Sequence, residues 1–201
     1  MRLLDDIHSE ACHDFALAWQ NWRGSAIAPR RASVRIDYIQ KELPHVSVVE
    51  VIYADLYKFR VAGTALCEAV GMELTGENYY NFTTPEARPL RVARTSHMAG
   101  MPCGCHFVFP ILYRSGKVVP TEVLSLPVLP NDLSAPRQIF TIAIPMEQTR
   151  LMGPHDNPLQ FPEAEGFRFI DVGAGVPNDR LNLSERAAAT LPIYATCSWT
   201  G

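Results

Sequence analysis

The sequence predicts an α+β fold, in which short helices precede and separate antiparallel strands. Three observations predict it: an apolar stripe with helical spacing near the amino terminus, two short runs rich in β-branched residues after it, and three longer runs of that character between residues 104 and 146. The prolines agree with this order. Only 2 of the 16 lie before Pro85, so uninterrupted helices are favoured in the first part of the chain.

The first predicted helix carries an aromatic stripe. Ser9 is a good helix-capping residue, and Phe15, Trp19 and Trp22 recur at intervals of four and three residues, which places them on one helical face. Such a stripe either packs into the core of its own chain or docks on a second copy. We keep both interpretations, and the second predicts a homodimer with Phe15, Trp19 and Trp22 at its interface.

The middle of the chain alternates strands and helices. The β-branched runs at 46–53 and 57–62 predict two paired antiparallel strands, and a short helix is expected before them at 36–43. Two further helices are expected at 64–70 and 85–99, each followed by a glycine.

Three longer strands are predicted at 104–113, 118–129 and 138–146. The segment Arg114-Ser115-Gly116-Lys117 joins the first two and has the composition of a hairpin turn. Prolines fall inside these strands, and each removes a hydrogen-bond donor from the ladder. We therefore expect them at strand ends, at bulges or on a sheet edge.

The remainder of the chain has a different character. Prolines punctuate it, and one short strand is predicted at 167–172. We therefore divide the chain into an amino-terminal helical segment (1–43), a core (44–146) and a carboxy-terminal extension (147–201).

Charge and hydropathy argue against two classes of partner. The chain has 18 basic and 21 acidic residues, and its longest basic run is a pair of arginines, so we expect no nucleic-acid ligand. No stretch approaches the roughly 20 apolar residues needed to span a bilayer. Asp5 and Asp6 interrupt the apolar run that a signal peptide requires. The five cysteines are odd in number and irregularly spaced, as in reduced proteins, and we expect a cytoplasmic protein.

Several short segments stand in a characteristic order along the chain. They are Trp19–Gly24, Pro29–Arg31, Asp37, Leu43–His45, Phe59–Thr64, Gly71–Gly76 and Leu126–Pro127. In this order they resemble the motifs of a family of small, often stand-alone bacterial PAS-domain proteins, over about residues 14–146. Two features depart from the family pattern: Glu73 stands where an aspartate is expected, and the cluster Cys103-Gly104-Cys105-His106 is additional.

The resemblance implies a PAS-like five-stranded antiparallel sheet with helices on one face, an amino-terminal helix that dimerises, and a small-molecule pocket. It implies a non-catalytic sensory or signalling module that binds a small ligand or a signalling protein partner. The two departures leave the ligand and any cofactor unidentified.

Arg60, His97, Cys105 and Phe107 are the candidate ligand-binding residues. Arg60 lies in the motif most typical of the family, and a partly buried guanidinium needs an internal carboxylate such as Glu73, backbone carbonyls or an anionic ligand. His97 lies in the helix from which haem-binding PAS domains supply an axial histidine, a likeness of position only. It can equally be a polar group of the pocket or a surface histidine. Cys105 and Phe107 lie in the strand that follows.

Two other motifs suggest chemistry that their context disfavours. Cys103 and Cys105 share one face of a strand while His106 points to the other, so we predict no metal site. The segment 169–177 ends in Asp-x-Gly-x-Gly and resembles the nucleotide-contacting turn of methyltransferases. Pro177 replaces the third glycine, however, and too little chain follows for further βα units, so we expect a strand and a glycine-rich turn.

We find no catalytic motif such as Gly-x-Ser-x-Gly or His-Glu-x-x-His, and we predict no enzyme and no catalytic residues. Two alternatives stay open. One is a ligand-free protein-interaction scaffold whose core is filled by side chains. The other is a small enzyme that uses Cys103 or Cys105 as a nucleophile.

Overall fold

A computed structural model describes residues 6–132, 134–147 and 163–177. The helices in these ranges are α1 (Glu10–Arg23), α2 (Thr64–Val70) and α3 (Arg88–Gly100), with short 3-10 helices at Arg31–Ser33, Ile36–Ile39, Leu43–His45 and Tyr79–Phe82. The strands are β1 (Val46–Tyr53), β2 (Leu56–Ala62), β3 (Cys103–Leu112), β4 (Val118–Val128), β5 (Arg137–Pro145) and β6 (Glu165–Asp171). Within these ranges no helix has the length and apolar character needed to cross a membrane.

These strands form one antiparallel sheet in the order β2-β1-β5-β4-β3-β6. The five strands predicted for the core are all present, and the predicted α+β class is confirmed. The sheet gains a sixth strand, because β6 of the extension pairs with the edge of β3, with Phe169 opposite Cys105. The short helix expected at 36–43 is instead two 3-10 turns.

The prolines inside the long strands lie close to strand ends. Pro110, Pro120 and Pro127 each fall within the first or last three residues of their strand. The carbonyl of Pro127 accepts a hydrogen bond from Trp19 Nε1 at 2.9 Å. The missing donors therefore fall where pairing is about to end, as expected for proline in a sheet.

Helix α1 covers one side of the sheet, which we call the outer face. Ser9 caps it, since its Oγ accepts from the Cys12 amide at 3.2 Å. Its apolar side packs on side chains of β4 and β5, including Leu124 and Ile142, both of which are fully buried. Burial of apolar surface on both sides of the contact holds the helix there.

The aromatic stripe of α1 faces this contact. Phe15 and Trp19 are 0% exposed and Trp22 is 5% exposed within the single chain. The outer face of the sheet carries apolar side chains, and α1 of the same chain covers them. The dimer interface predicted on these three side chains is therefore corrected: the structure places them in the monomer's own core. Dimerisation itself stays a prediction.

A buried carboxylate fixes the start of α1. Glu122, on the outer face of β4, is 0% exposed. It accepts from the backbone amides of His8 at 2.7 Å and Ser9 at 2.8 Å, and from His106 Nε2 at 2.8 Å. Burial alone opposes ionisation, but these hydrogen bonds outweigh it and lower the pKa of Glu122 from 4.5 to about 2.

Helices α2 and α3 pack on the opposite side, the inner face, and enclose a second apolar cluster. The chain enters α2 at Gly63, which lies against the turn before β1. A Cβ on Gly63 would lie 2.2 Å from the Pro44 carbonyl oxygen and 2.4 Å from that of Leu43. Only glycine permits this close approach of two backbone segments.

Candidate functional site

A cavity of about 180 Å³ lies between the inner face of the sheet and helices α2 and α3. Side chains alternate along a strand, so the odd-numbered residues of β3 and β4 point into it, among them Phe107, Phe109 and Val123. Leu66 of α2 and Met98 of α3 close it from the other side. The cavity wall is mainly apolar, as in most small-molecule sites.

A polar row crosses the floor of this cavity. Ser47, Thr141, Ser125 and Cys105 are successive cross-strand neighbours on β1, β5, β4 and β3. The Ser125 and Thr141 hydroxyls are 2.8 Å apart and hydrogen-bonded. The row offers hydroxyl groups to a bound molecule within an otherwise apolar surface.

The thiol of Cys105 is buried in the cavity wall. Burial is the main influence and raises its pKa to about 12, although a hydrogen bond with Ser125 and the positive charge of Arg94 act in the opposite direction. A protonated buried thiol behaves as a small apolar group. Cys105 is therefore a protonated part of the cavity wall.

Two arginines of α3 form one wall of the cavity. Arg91 is 7% exposed and donates from Nη1 to Thr83 Oγ1 at 2.8 Å. Its guanidinium carbon lies 4.7 Å from the centre of the Phe109 ring. An aromatic face and a hydroxyl together hold the buried charge in place.

Arg94, one helical turn further on, reaches the described part of the extension. It forms an ion pair with Glu163, and its guanidinium carbon lies 3.9 Å from the centre of the Phe167 ring. Arg94 Nε is buried and has no hydrogen-bond acceptor among the residues that the structure describes. Glu163 and Phe167 also line the cavity, so the extension completes the site.

This architecture can be compared with known proteins. A family model described as a PAS domain matches residues 7–142, which is more than half of the chain. The chain belongs to the PAS-domain family. Searches of curated proteins and of solved structures gave no significant match.

The matched range relates the PAS domain to the site. It begins just before α1 and ends within β5, so the outer-face helix belongs to the domain. Glu163 and Phe167 lie beyond the match, and β6 is an addition to it. Sensory and signalling roles are general to PAS domains.

The structure places two of the four predicted ligand residues on the cavity wall. Cys105 and Phe107 line it, as neighbours on the same face of β3. Arg60 does not: its side chain is 60% exposed and its Nε lies 3.8 Å from Glu50 Oε1, instead of the predicted Glu73. In β2 it is Phe59 that faces the cavity, so Arg60 points the other way.

His97 is also outside the cavity wall of the PAS domain. Its ring centre lies 6.5 Å from that of Phe169 on β6, while the next residue, Met98, faces the cavity. A ligand in the cavity therefore has no axial histidine from this helix.

The prediction missed the two arginines. Arg91, Arg94, Thr95 and Met98 recur at i, i+3, i+4 and i+7, and this spacing places them on one face of α3. The signal was therefore present in the sequence. Glu163 gave no such signal, because its position depends on the pairing of β6 with β3.

The Cys-Gly-Cys-His cluster divides between the two faces of the sheet. Cys105 faces the cavity, whereas His106 lies on the outer face and pairs with Glu122. The alternation predicted for this strand is confirmed, and the three side chains do not converge. In the described ranges no group of three His, Cys, Asp or Glu residues is arranged to hold a metal ion.

The glycine-rich turn after β6 satisfies its own amides. Asp171 Oδ1 accepts from Gly173 N at 2.7 Å and from Gly175 N at 2.9 Å. Both glycines have positive φ, of 118° and 85°, which favours glycine at these positions. Two amides of this turn are therefore occupied by Asp171, and the predicted strand and turn are confirmed.

Proposed function

We propose that this PAS domain is a non-catalytic sensory module that binds a small, largely apolar molecule in the cavity on the inner face of its sheet. The cavity itself is the observation that carries the proposal, since it lies among buried side chains where close packing is the rule.

Its size and chemistry support this function. The volume is about 180 Å³, and an apolar cavity of about 150 Å³ is enough to take a benzene ring. Aromatic side chains such as Phe107 and Phe109 supply apolar contact, and the Ser125 and Thr141 hydroxyls supply a polar anchor. One ring or a short aliphatic chain with a single polar group fits this description.

The cysteines favour a sensory role over an enzymatic one. Burial raises the pKa of Cys103 and of Cys105 to about 12, whereas a nucleophilic cysteine needs a lowered pKa. We expect iodoacetamide at pH 8 to label the partly exposed Cys67 well before these two, as measured by peptide mass mapping under native conditions. Rapid labelling of Cys103 or Cys105 in the folded protein would instead favour the enzyme.

A matched pair of variants tests the cavity. Val123→Phe places a ring inside it, and Val118→Phe places the same ring at an exposed site on the same strand. We expect toluene to raise the melting temperature of the wild type and of Val118→Phe, and to leave that of Val123→Phe unchanged. Native mass spectrometry of freshly purified wild type should also show a retained small molecule.

If no molecule binds in the cavity, the alternative of a ligand-free protein-interaction scaffold is favoured. A clean apo mass, together with no effect of toluene on wild type or Val118→Phe, would mean that the cavity accepts no molecule. The domain would then act through its surface alone.

A further inference from the structure

Positive charge predominates on the wall of the cavity. Among the lining residues that the structure describes, the charged groups are the guanidiniums of Arg91 and Arg94 and the single carboxylate of Glu163, with the imidazole of His45 beside them. An apolar pocket with excess guanidinium charge is complementary to an apolar molecule that bears an anion.

The geometry of Arg94 suits a carboxylate. Its guanidinium is held against the Phe167 ring at 3.9 Å, which limits its rotation before any ligand arrives. Its Nε–H is buried and lacks an acceptor in the described part of the chain, although a buried donor without a partner is costly. Glu163 pairs with Nη1 and leaves this donor unsatisfied, so a ligand carboxylate that reaches Nε would make a hydrogen bond that Glu163 does not make.

Glu163 already shows that a carboxylate can bind here. It pairs with Arg94, but its own side chain is 46% exposed. An ion pair with a half-exposed partner contributes little to stability, so its replacement by another carboxylate costs little. Glu163 also lies outside the matched range 7–142, which makes this contact a feature of the chain's extension.

We propose that the cavity binds a small apolar carboxylate, with one ring or a short aliphatic chain, whose carboxylate replaces Glu163 on Arg94. This inference rests on the proposed function and narrows it to one chemical class. The guanidinium of Arg94 lines the same cavity as the polar row that ends at Cys105. The anion and the apolar body of the ligand thus have adjoining sites.

Three probes separate the two proposals. Phenylacetate carries the anion, phenylacetamide has the same shape without charge, and toluene has only the ring. By isothermal titration of the full chain, we expect phenylacetate to bind roughly 10- to 100-fold more tightly than phenylacetamide. The affinity for toluene should be the same in the wild type and in variants of Arg94.

Variants of α3 and the extension then assign the preference. Arg94→Gln should reduce phenylacetate affinity by the same factor and leave phenylacetamide unchanged, and Arg94→Lys, which keeps the charge without the planar fork, should be intermediate. Arg88→Gln removes a guanidinium from the same helix outside the cavity and should change neither. Glu163→Gln removes the internal competitor and should tighten phenylacetate binding alone.

The outcomes are distinct. Equal affinity of phenylacetate and phenylacetamide in the wild type overturns the inference. So does an Arg94→Gln variant that has the circular dichroism spectrum of the folded wild type and still binds phenylacetate more tightly than phenylacetamide. If Arg94→Gln does not fold, the affinities of the wild type and of Glu163→Gln for phenylacetate and phenylacetamide still decide whether the cavity prefers a carboxylate. If toluene binds without any acid preference, only this inference fails. If none of the three probes binds, the proposed function fails.

Discussion

Replacing Glu122 with glutamine tests how α1 is held on the outer face of the sheet. The carboxylate accepts from two backbone amides, of His8 and Ser9, and from the ring of His106, with no exposure to water. A glutamine has one oxygen and one NH₂ group in place of two oxygens. One buried donor would then face another donor, and the start of α1 would lose part of its attachment.

The size of the effect follows from the pKa of Glu122. It falls from 4.5 to about 2 in the folded state, a shift that corresponds to about 3 kcal/mol in favour of the ionised form. Leaving a buried donor unsatisfied costs about 1–3 kcal/mol, which is a similar amount. We therefore expect Glu122→Gln to lower the free energy of unfolding by about 3 kcal/mol at pH 7.

The sign of the pH dependence is fixed by the direction of the shift. A group whose pKa is depressed on folding stabilises the protein above its unfolded pKa, and that stabilisation is lost as the pH falls toward the folded pKa. For Glu122 the loss begins near pH 4.5 and extends toward pH 2. Between pH 7 and pH 3 the difference between wild type and Glu122→Gln should shrink by roughly 2 kcal/mol.

Urea unfolding, followed by tryptophan fluorescence at pH 7, 5, 4 and 3, measures this difference. Glu73→Gln is the control, because Glu73 is also a hydrogen-bonded carboxylate of lowered pKa, but an exposed one. It should change stability little at any of these pH values. A difference between wild type and Glu122→Gln that stays constant from pH 7 to pH 3 would refute the assigned role of the ionised carboxylate.

Two further substitutions test the packing on each face. Trp19→Ala should lower the free energy of unfolding in urea by about 3–5 kcal/mol, because the ring is fully buried and donates to the Pro127 carbonyl. The control is Leu17→Ala on the exposed side of α1, which should lower it by less than about 1 kcal/mol. Similar costs for both would show that α1 does not dock by its aromatic stripe. Gly63→Ala should lower the free energy of unfolding by about 1–3 kcal/mol, because its Cβ would collide with two carbonyl oxygens. Gly100→Ala is the control: its Cβ meets open space, so it should not destabilise the protein. A tolerated Gly63→Ala would contradict the close backbone approach.

The sequence was sufficient to predict the helices and strands of the fold, but not which side of each strand faces the cavity. Runs of β-branched and aromatic residues mark β1 to β5, and the alternation of side chains along each strand follows from strand geometry. Which of the two sets of side chains faces the cavity depends on tertiary packing. This is why Arg60 was expected in the pocket, although its neighbour Phe59 occupies that side.

A similar reason explains what was missed at the site. The helical spacing of Arg91 and Arg94 was readable, but arginine on a helix normally faces solvent, and nothing local showed that an aromatic wall would receive it. The buried Glu122 was equally hidden, since its three donors come from segments distant in sequence. Buried charges are specified by long-range contacts, which a single sequence does not reveal.

Strand β4 connects the two faces on which these charges lie. Its residues alternate, so Val123 and Ser125 face the cavity while Glu122 and Leu124 face α1. The helix is attached to this strand near both of its ends, by Glu122 at the start and by the Pro127 carbonyl at Trp19. Under the proposed function, a ligand that shifts β4 from the inner side would move both attachments of α1 together, because interiors at native density transmit strain.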